Sequence, residues 1–126
     1  MKRAYNAYAQ NNTMVQTPEK IIEMLYEGIL KFASLAKRSI ENKDREKKTY
    51  YINRTTDIYI ELISSLRYDT GGTIADYLNG LYLHQIKLLS TANMQNSTKE
   101  LNEVINVVTV LLEAWREETK VESAVA

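Results

Sequence analysis

Four long segments in which apolar residues recur at every third or fourth position constrain the fold of this chain more than any other feature. The sequence contains one proline and four glycines, so few residues interrupt a helix within these segments. The connections between the segments are short, and short connections place consecutive helices antiparallel. The pattern therefore predicts an all-α protein, an antiparallel four-helix bundle preceded by a flexible N-terminal arm.

Capping residues set the predicted helix boundaries. Thr17 precedes Pro18, and this order is typical of an N-cap followed by proline at the first helical position. Asp44 follows a polar break and is the predicted N-cap of the second helix. The predicted organisation is an arm or cap over 1–16, a bundle over 17–119 with helices at about 18–42, 45–66, 73–94 and 98–119, and a frayed tail over 120–126.

Two polar stretches separate the later helices. The stretch 68–72 ends in two consecutive glycines, which predicts a turn before the third helix. Ser97 and Glu100 have the spacing of a capping box, in which the serine hydroxyl and the glutamate carboxylate each accept a backbone N–H. This pair predicts the start of the fourth helix.

No motif brings together the residues that catalysis or metal binding requires. The chain has no cysteine and a single histidine, His84, and the residue three positions before it is Leu81 rather than the glutamate of a di-metal carboxylate site. The glycines at 71 and 72 lack the spacing of a phosphate-binding loop. We therefore expect a protein that is not an enzyme and that binds no metal or cofactor.

Charge and hydropathy narrow the choice of partners and compartment. Sixteen basic residues balance sixteen acidic residues, which removes the usual electrostatic reason to expect nucleic acid. The basic residues within 43–48 are interspersed with acidic ones and indicate a solvated helix end. No apolar run has the length of a membrane span or the form of a secretory signal, and the lack of cysteine is typical of a reducing compartment. The sequence thus predicts a cytoplasmic protein without membrane insertion.

The helices carry more apolar residues than the core of a four-helix bundle requires. A core-facing stripe covers roughly 100° to 140° of a helix, and a second set of apolar residues lies outside it. The pattern leaves three explanations open for this set: ordinary scatter over the surface, a dimer face, or grooves that accept a partner helix. Besides Tyr26 and Leu30 in the first helix, the set consists of Ile60, Leu83, Ile86, Val107, Val110, Leu111 and Ala114.

Nine tyrosines are spread over the arm and three of the helices, and tyrosine is enriched at interfaces. Tyr59 and Tyr77 fit the half-buried margins of a bundle, and Ile74 fits the core stripe of the third helix. Tyr5 and Tyr8 instead lie in an otherwise polar arm, and their spacing places both on one side of a helical turn. We expect this pair to anchor the arm on a groove of the bundle when no partner is bound.

A set of motifs distributed over nearly the whole chain carries a family resemblance. The motifs are, in order, the Tyr5 and Tyr8 arm, Thr17-Pro18, the run Ile21-Ile22-Glu23-Met24-Leu25-Tyr26-Glu27-Gly28, Leu62, Leu66, Gly71-Gly72-Thr73-Ile74-Ala75, Leu78, Leu81-Tyr82 and Glu113-Ala114-Trp115-Arg116. In combination they resemble the flagellin-specific export chaperones of the FliS family.

The resemblance implies a cytoplasmic four-helix bundle that binds the C-terminal helical segment of flagellin, prevents its premature polymerisation and delivers it to the flagellar type III export apparatus. It also implies an arm that caps the groove and is displaced by the client. Tyr5 and Tyr8 would then anchor the arm, and the apolar set from Ile60 to Ala114 would contact the client. A co-chaperone or regulatory protein and the export gate are further partners that this reading allows. The alternative is a structural or adaptor bundle that self-associates through the same apolar faces.

Overall fold

Four helices form a closed ring in which each helix packs against two neighbours. The computed structural model describes residues 16–125, with side chains up to Lys120. The helices are α1 (Pro18–Glu41), α2 (Arg45–Ser64), α3 (Tyr68–Gln95) and α4 (Thr98–Val125). Contacts between consecutive helices, together with those between α1 and α4, close the ring. Residues 16–125 contain no strand, and the predicted all-α bundle is confirmed; the predicted arm falls, except for its last residue, outside the described residues.

Side-chain caps begin the first two helices where the sequence predicts them. The Thr17 hydroxyl accepts a hydrogen bond from the Lys20 backbone N–H at 3.1 Å, and Pro18 follows as the first helical residue. The Asp44 carboxylate accepts one from the Lys47 backbone N–H, also at 3.1 Å. Each cap satisfies a donor that the first turn of a helix leaves free, so both predicted N-caps are confirmed.

Helix α3 begins earlier than the glycine pair predicts. The stretch 68–72 is helical from Tyr68, and the Gly71 N–H donates to the Arg67 carbonyl at 2.6 Å. Gly72 then adopts a φ of 50° and a ψ of −124°, which lies outside the helical region and interrupts α3 at a kink. Glycine has no Cβ and reaches this region at little cost, so the chain does break at the predicted glycine pair, although a short helical turn from Tyr68 precedes the break.

The connection between α3 and α4 also differs from the prediction. Asn96 has a φ of 50°, and the Ser97 N–H donates to the Ala92 carbonyl at 3.1 Å, as in a Schellman closure of α3. The Ser97 N–H is therefore not available to the Glu100 carboxylate, and the reciprocal half of the predicted capping box does not form. The Ser97 hydroxyl still lies beside Glu100 and lowers the pKa of its carboxyl. At its other end, α4 continues to Val125 rather than ending near Thr119.

One apolar stripe from each helix forms the core, although four residues lie elsewhere than the sequence predicts. Tyr59 is fully buried in the core rather than half-buried at its margin. Tyr26 is 4% exposed and belongs to the core, whereas the pattern placed it outside the α1 stripe. Ile74 and Tyr77 are 70% and 67% exposed, so the core and margin positions predicted for them are wrong. A period tells which residues share a face of a helix, but it carries no information on where neighbouring helices cover that face.

Candidate protein-binding grooves

The corner of the bundle between α3 and α4 is the most loosely packed of the four. α1 packs most closely against α2 and α4, whereas α3 and α4 share the sparsest interface. Large apolar side chains are exposed mainly on α3, which carries five of the seven found among the residues with described side chains. The five on α3 are Tyr68, Ile74, Tyr77, Leu83 and Met94, and the other two are Tyr50 and Val110. An apolar face left open in this way is a candidate binding surface.

The flank of α4 that faces α3 is apolar in its middle part. Arg116 marks the opposite flank, because it reaches across to Glu23 and Glu27 of α1. Val107 is nine residues from Arg116, which is two and a half helical turns, so it lies about 180° away on the α3 side. Leu111 is one turn further along the same flank, and both residues are half-buried.

The facing flank of α3 follows from the same argument. Asn93 marks the α2 side of this helix, because its side chain and carbonyl accept hydrogen bonds from Thr49 and Lys48. His84 is nine residues from Asn93 and therefore lies on the α4 side. Leu81 and Leu88 are close to His84 on this flank and are half-buried. We call the surface lined by Tyr77, Leu81, His84, Leu88, Val107, Leu111 and Ala114 the α3–α4 groove.

The predicted contact residues fall into two separate patches. Val107, Leu111 and Ala114 line the α3–α4 groove, and Val110 lies at its outer edge with 64% of its surface exposed. Ile86 is seven residues from Asn93, and Ile60 of α2 is eleven from Thr49, so both lie where α2 and α3 face each other. Leu83 is 52% exposed and lies at the rim of that surface. We call Ile60, Leu83 and Ile86 the α2–α3 patch, while Tyr5 and Tyr8 lie outside the described residues.

An aromatic layer that crosses the core joins all four helices behind these surfaces. Its members are Tyr59 of α2, Tyr82 of α3, Tyr26 of α1 and Trp115 of α4. The Tyr59 and Tyr82 ring centroids are 5.7 Å apart, the Tyr82 and Tyr26 hydroxyls are 2.6 Å apart, and the Tyr26 and Trp115 rings meet edge to face at 6.5 Å. Burial raises the pKa of each of the three phenols, so they stay neutral. The layer therefore connects α3 to the other three helices through the core.

Polar contacts close the corner between α1 and α4. The Trp115 ring N–H donates to the Glu19 carbonyl at 2.8 Å, and the Arg116 guanidinium donates to Glu23 and Glu27, each at 2.7 Å. Hydrogen bonds from Lys20 and then from Arg116 hold the pKa of Glu23 below its ordinary value of 4.5. This corner is thus closed by specific contacts, in contrast to the corner between α3 and α4.

Sequence reasoning missed part of the α3–α4 groove. Tyr77 lines it, although the sequence pattern assigned this residue to the half-buried margin, and Leu81 lines it without having been predicted as a contact residue. His84 was considered only as a metal ligand. The signal that was available is the density of apolar residues along α3, which exceeds what the core of one helix requires.

A bundle that leaves apolar flanks open beside a rigid core belongs to the class of helical protein-binding modules. Comparison with known proteins makes the assignment specific. The sequence model of the family described as "Flagellar protein FliS" matches residues 1–122. The chain therefore belongs to the FliS family, the flagellar secretion chaperones.

Curated relatives support the same assignment over most of their length. The chain is 56% identical over 114 residues to the flagellar secretion chaperone FliS of Campylobacter jejuni, covering 90% of this chain and 89% of that protein. It is 33% identical to the protein of the same name from Bacillus subtilis, over 93% of this chain and 86% of the relative. A crystal structure of a bacterial flagellar chaperone matches with a TM-score of 0.78 and 20% identity, over 94% of this chain and 97% of that one, and shows the shared fold.

No helix among residues 16–125 is both long and apolar enough to cross a bilayer.

Proposed function

We propose that this protein is a cytoplasmic export chaperone that binds the C-terminal helical segment of flagellin. Binding keeps the segment from polymerising early and delivers it to the flagellar type III export apparatus, and the chaperone does this without catalysis. The observation that supports the proposal most is the α3–α4 groove, an apolar surface left open in a member of the FliS family. An amphipathic helix can bury its apolar face in this groove. The groove then replaces the apolar contacts that the helix would make in its own assembly.

The two surfaces on either side of α3 suggest how a long segment is held. The α3–α4 groove and the α2–α3 patch lie on opposite flanks of the same helix, with Leu83 and Val110 at their exposed edges. A client that wraps α3 contacts both surfaces. The aromatic layer at Tyr82 keeps α3 in place, so the surfaces exist before the client arrives and little ordering of the chaperone is needed. The client itself orders on binding, which lowers its affinity per unit of area and allows release.

Charged replacements on α4 test the groove directly. Val107→Asp and Val110→Asp, each made singly, place a carboxylate on the apolar flank that faces the client. We expect each to abolish co-elution with a flagellin C-terminal peptide in size-exclusion chromatography, because an unpaired buried charge opposes apolar contact. Asn102→Asp is the matched control, since it adds the same charge at an exposed position of α4 on the side nearer α1.

Helical content measured by circular dichroism shows whether each variant is folded. Normal co-elution of a folded Val107→Asp protein contradicts the use of this groove. Leu83→Asp distinguishes the second surface: loss of binding assigns client contact to the α2–α3 patch as well, and unchanged binding restricts the client to the α3–α4 groove.

The N-terminal arm is proposed to cover a groove until the client displaces it, with Tyr5 and Tyr8 as the anchoring side chains. Deleting residues 2–16 then raises client affinity and the binding of an apolar dye. An unchanged affinity together with unchanged dye binding contradicts this role.

Self-association through the same apolar surfaces is the competing function. Sedimentation of the client-free protein at several concentrations separates the two readings. A chaperone groove requires no dimer, whereas an adaptor that self-associates shows a concentration-dependent mass that Val110→Asp reduces.

A further inference from the structure

The surface between α1 and α2, on the side of the bundle opposite the α3–α4 groove, combines aromatic and basic side chains. Phe32 of α1 and Tyr51 of α2 stack with ring centroids 6.2 Å apart and planes 21° from parallel. The Arg54 guanidinium carbon lies 5.4 Å from the Phe32 ring centroid, and the Lys31 ammonium lies 5.5 Å from it. Both are within the range of a cation–π contact. Two cations are thus held over one aromatic ring.

Most of the cations on this surface have no acidic partner. The ion pairs among residues 16–120 include Lys47 with Asp44 at 4.0 Å, and none of them involves Lys31, Arg38 or Arg54. The Arg54 Nε atom is buried and lacks a hydrogen-bond partner in the same part of the chain. A buried donor without an acceptor is costly, so this N–H favours an acceptor that reaches it.

A cavity extends the surface toward the end of the bundle. It has a volume of about 150 Å³ and is lined by Leu35 and Arg38 of α1 and by Lys47 and Tyr51 of α2, among others. Asp44 also lies in its wall, but this carboxylate is already engaged in capping α2. The cavity therefore presents apolar, neutral polar and cationic groups, beside the capping carboxylate, to any chain that enters it.

The four cations have a regular spacing. Lys31 and Arg38 are seven residues apart on α1, and Lys47 and Arg54 are seven residues apart on α2. Two helical turns correspond to about 10 Å, so each helix carries two positive charges about 10 Å apart. We define the α1–α2 basic groove by these four residues and by Phe32 and Tyr51 beneath them.

We propose that the α1–α2 basic groove binds an acidic segment of a second protein, one that carries two carboxylates about 10 Å apart. Carboxylates seven positions apart on a helix have this separation and lie on one face. Carboxylates form charge-assisted hydrogen bonds with guanidinium groups, and Tyr and Arg are enriched among the residues that contribute most to interfaces. Single-stranded nucleic acid fits less well, because Phe32 stacks against Tyr51 and carries two cations and so has no free face for a base.

A pair of synthetic peptides tests the proposal with the full chain. The first is a capped helical peptide of about twelve residues with two glutamates seven positions apart, and the second has glutamines in their place. We expect the glutamate peptide to bind and to shift the amide resonances of α1 and α2 in the NMR spectrum of the labelled protein. Its affinity should fall as the salt concentration rises from about 50 to about 500 mM. Equal binding of the glutamine peptide, or shifts confined to α3 and α4, would overturn the proposal.

A double variant and a matched control locate the site. The double variant Lys31→Gln with Arg54→Gln should lower the affinity for the glutamate peptide about tenfold, since it removes two charge-assisted contacts. Lys87→Gln with Lys99→Gln removes the same charge at exposed positions of α3 and α4 and should leave binding unchanged. Equal affinity of the folded α1–α2 variant contradicts the assignment. Binding of an oligothymidylate at this surface without binding of the glutamate peptide would assign it to nucleic acid instead.

Discussion

Helices α1 and α3 lie at opposite corners of the bundle. Both have apolar residues at every third or fourth position, but these side chains are buried to different extents. Every large apolar side chain of α1 is buried or half-buried, whereas α3 leaves five exposed. α1 packs closely against both of its neighbours, while α3 makes the sparsest of the four interfaces with α4. The difference shows that the same period produces a buried helix or an exposed apolar surface according to how completely the neighbouring helices cover it.

The two helices also differ at their N-terminal ends, where only α1 has a side-chain cap. α1 begins with a side-chain cap and a proline, but the N-cap position of α3, Arg67, makes no side-chain cap and a kink follows at Gly72. In α1 a capped start accompanies apolar side chains that are all buried or half-buried. An uncapped start and open flanks go together in α3.

The largest difference should appear when one apolar side chain is removed from each helix. Ile29 of α1 is fully buried, and Ile29→Ala should lower the free energy of unfolding by about 2–5 kcal/mol through lost burial and a cavity. Leu83 of α3 is 52% exposed, and Leu83→Ala should change it by no more than about 0.5 kcal/mol. Urea denaturation of both variants measures the two values. Similar losses would show that α3 contributes to the core as α1 does.

The contact that joins the two helices should give the next largest effect. Tyr82→Phe removes one hydroxyl of the buried pair and leaves the Tyr26 hydroxyl without its partner, at a cost of about 1–3 kcal/mol. Combining it with Tyr26→Phe removes both hydroxyls and should restore part of the loss. Tyr77→Phe is the control at an exposed tyrosine and should be neutral. An additive double variant would argue against a direct hydrogen bond.

The kink near the start of α3 can be tested with substitutions at two of the glycines in this helix. Gly72→Ala forces a side chain into a φ of 50° and should destabilise the protein by about 1–2 kcal/mol, although a Cβ there meets no atom within 4 Å. Gly80 is helical and equally open, so Gly80→Ala should stabilise by about 0.5–1 kcal/mol. Thermal unfolding of the pair measures both. Effects of the same sign would place Gly72 in an ordinary helical conformation.

The smallest effect concerns the acidic surface of α1. Because Lys20 and Arg116 lower the pKa of Glu23 in the folded state, its contribution to stability is present above its unfolded pKa, near 4.5, and is lost as the pH falls through the lower folded value. Glu23→Gln should therefore reduce the loss of stability between about pH 5 and pH 3. Urea midpoints at several pH values measure the slope. If stability depends on pH equally in the variant and in the parent protein, Glu23 makes no contribution to that dependence.

The sequence by itself determined the number and type of the helices, two of their caps and the family. These properties rest on local information: a period of three to four residues, the order Thr17-Pro18, an aspartate before α2, and motifs spread along the chain. It also showed that apolar residues exceed the needs of the core. It did not show which of them remain open.

Only the tertiary structure decided which of the apolar residues beyond the needs of the core remain exposed. Tyr26 turns out to be buried because Tyr82 meets it across the bundle, and Ile74 is exposed because no neighbouring helix covers it. The predicted contact residues divide into two patches for the same reason, since the division depends on which helix lies on each flank of α3. A helical period fixes directions around one axis, but burial depends on the positions of the other three helices, and those follow from packing across the whole chain.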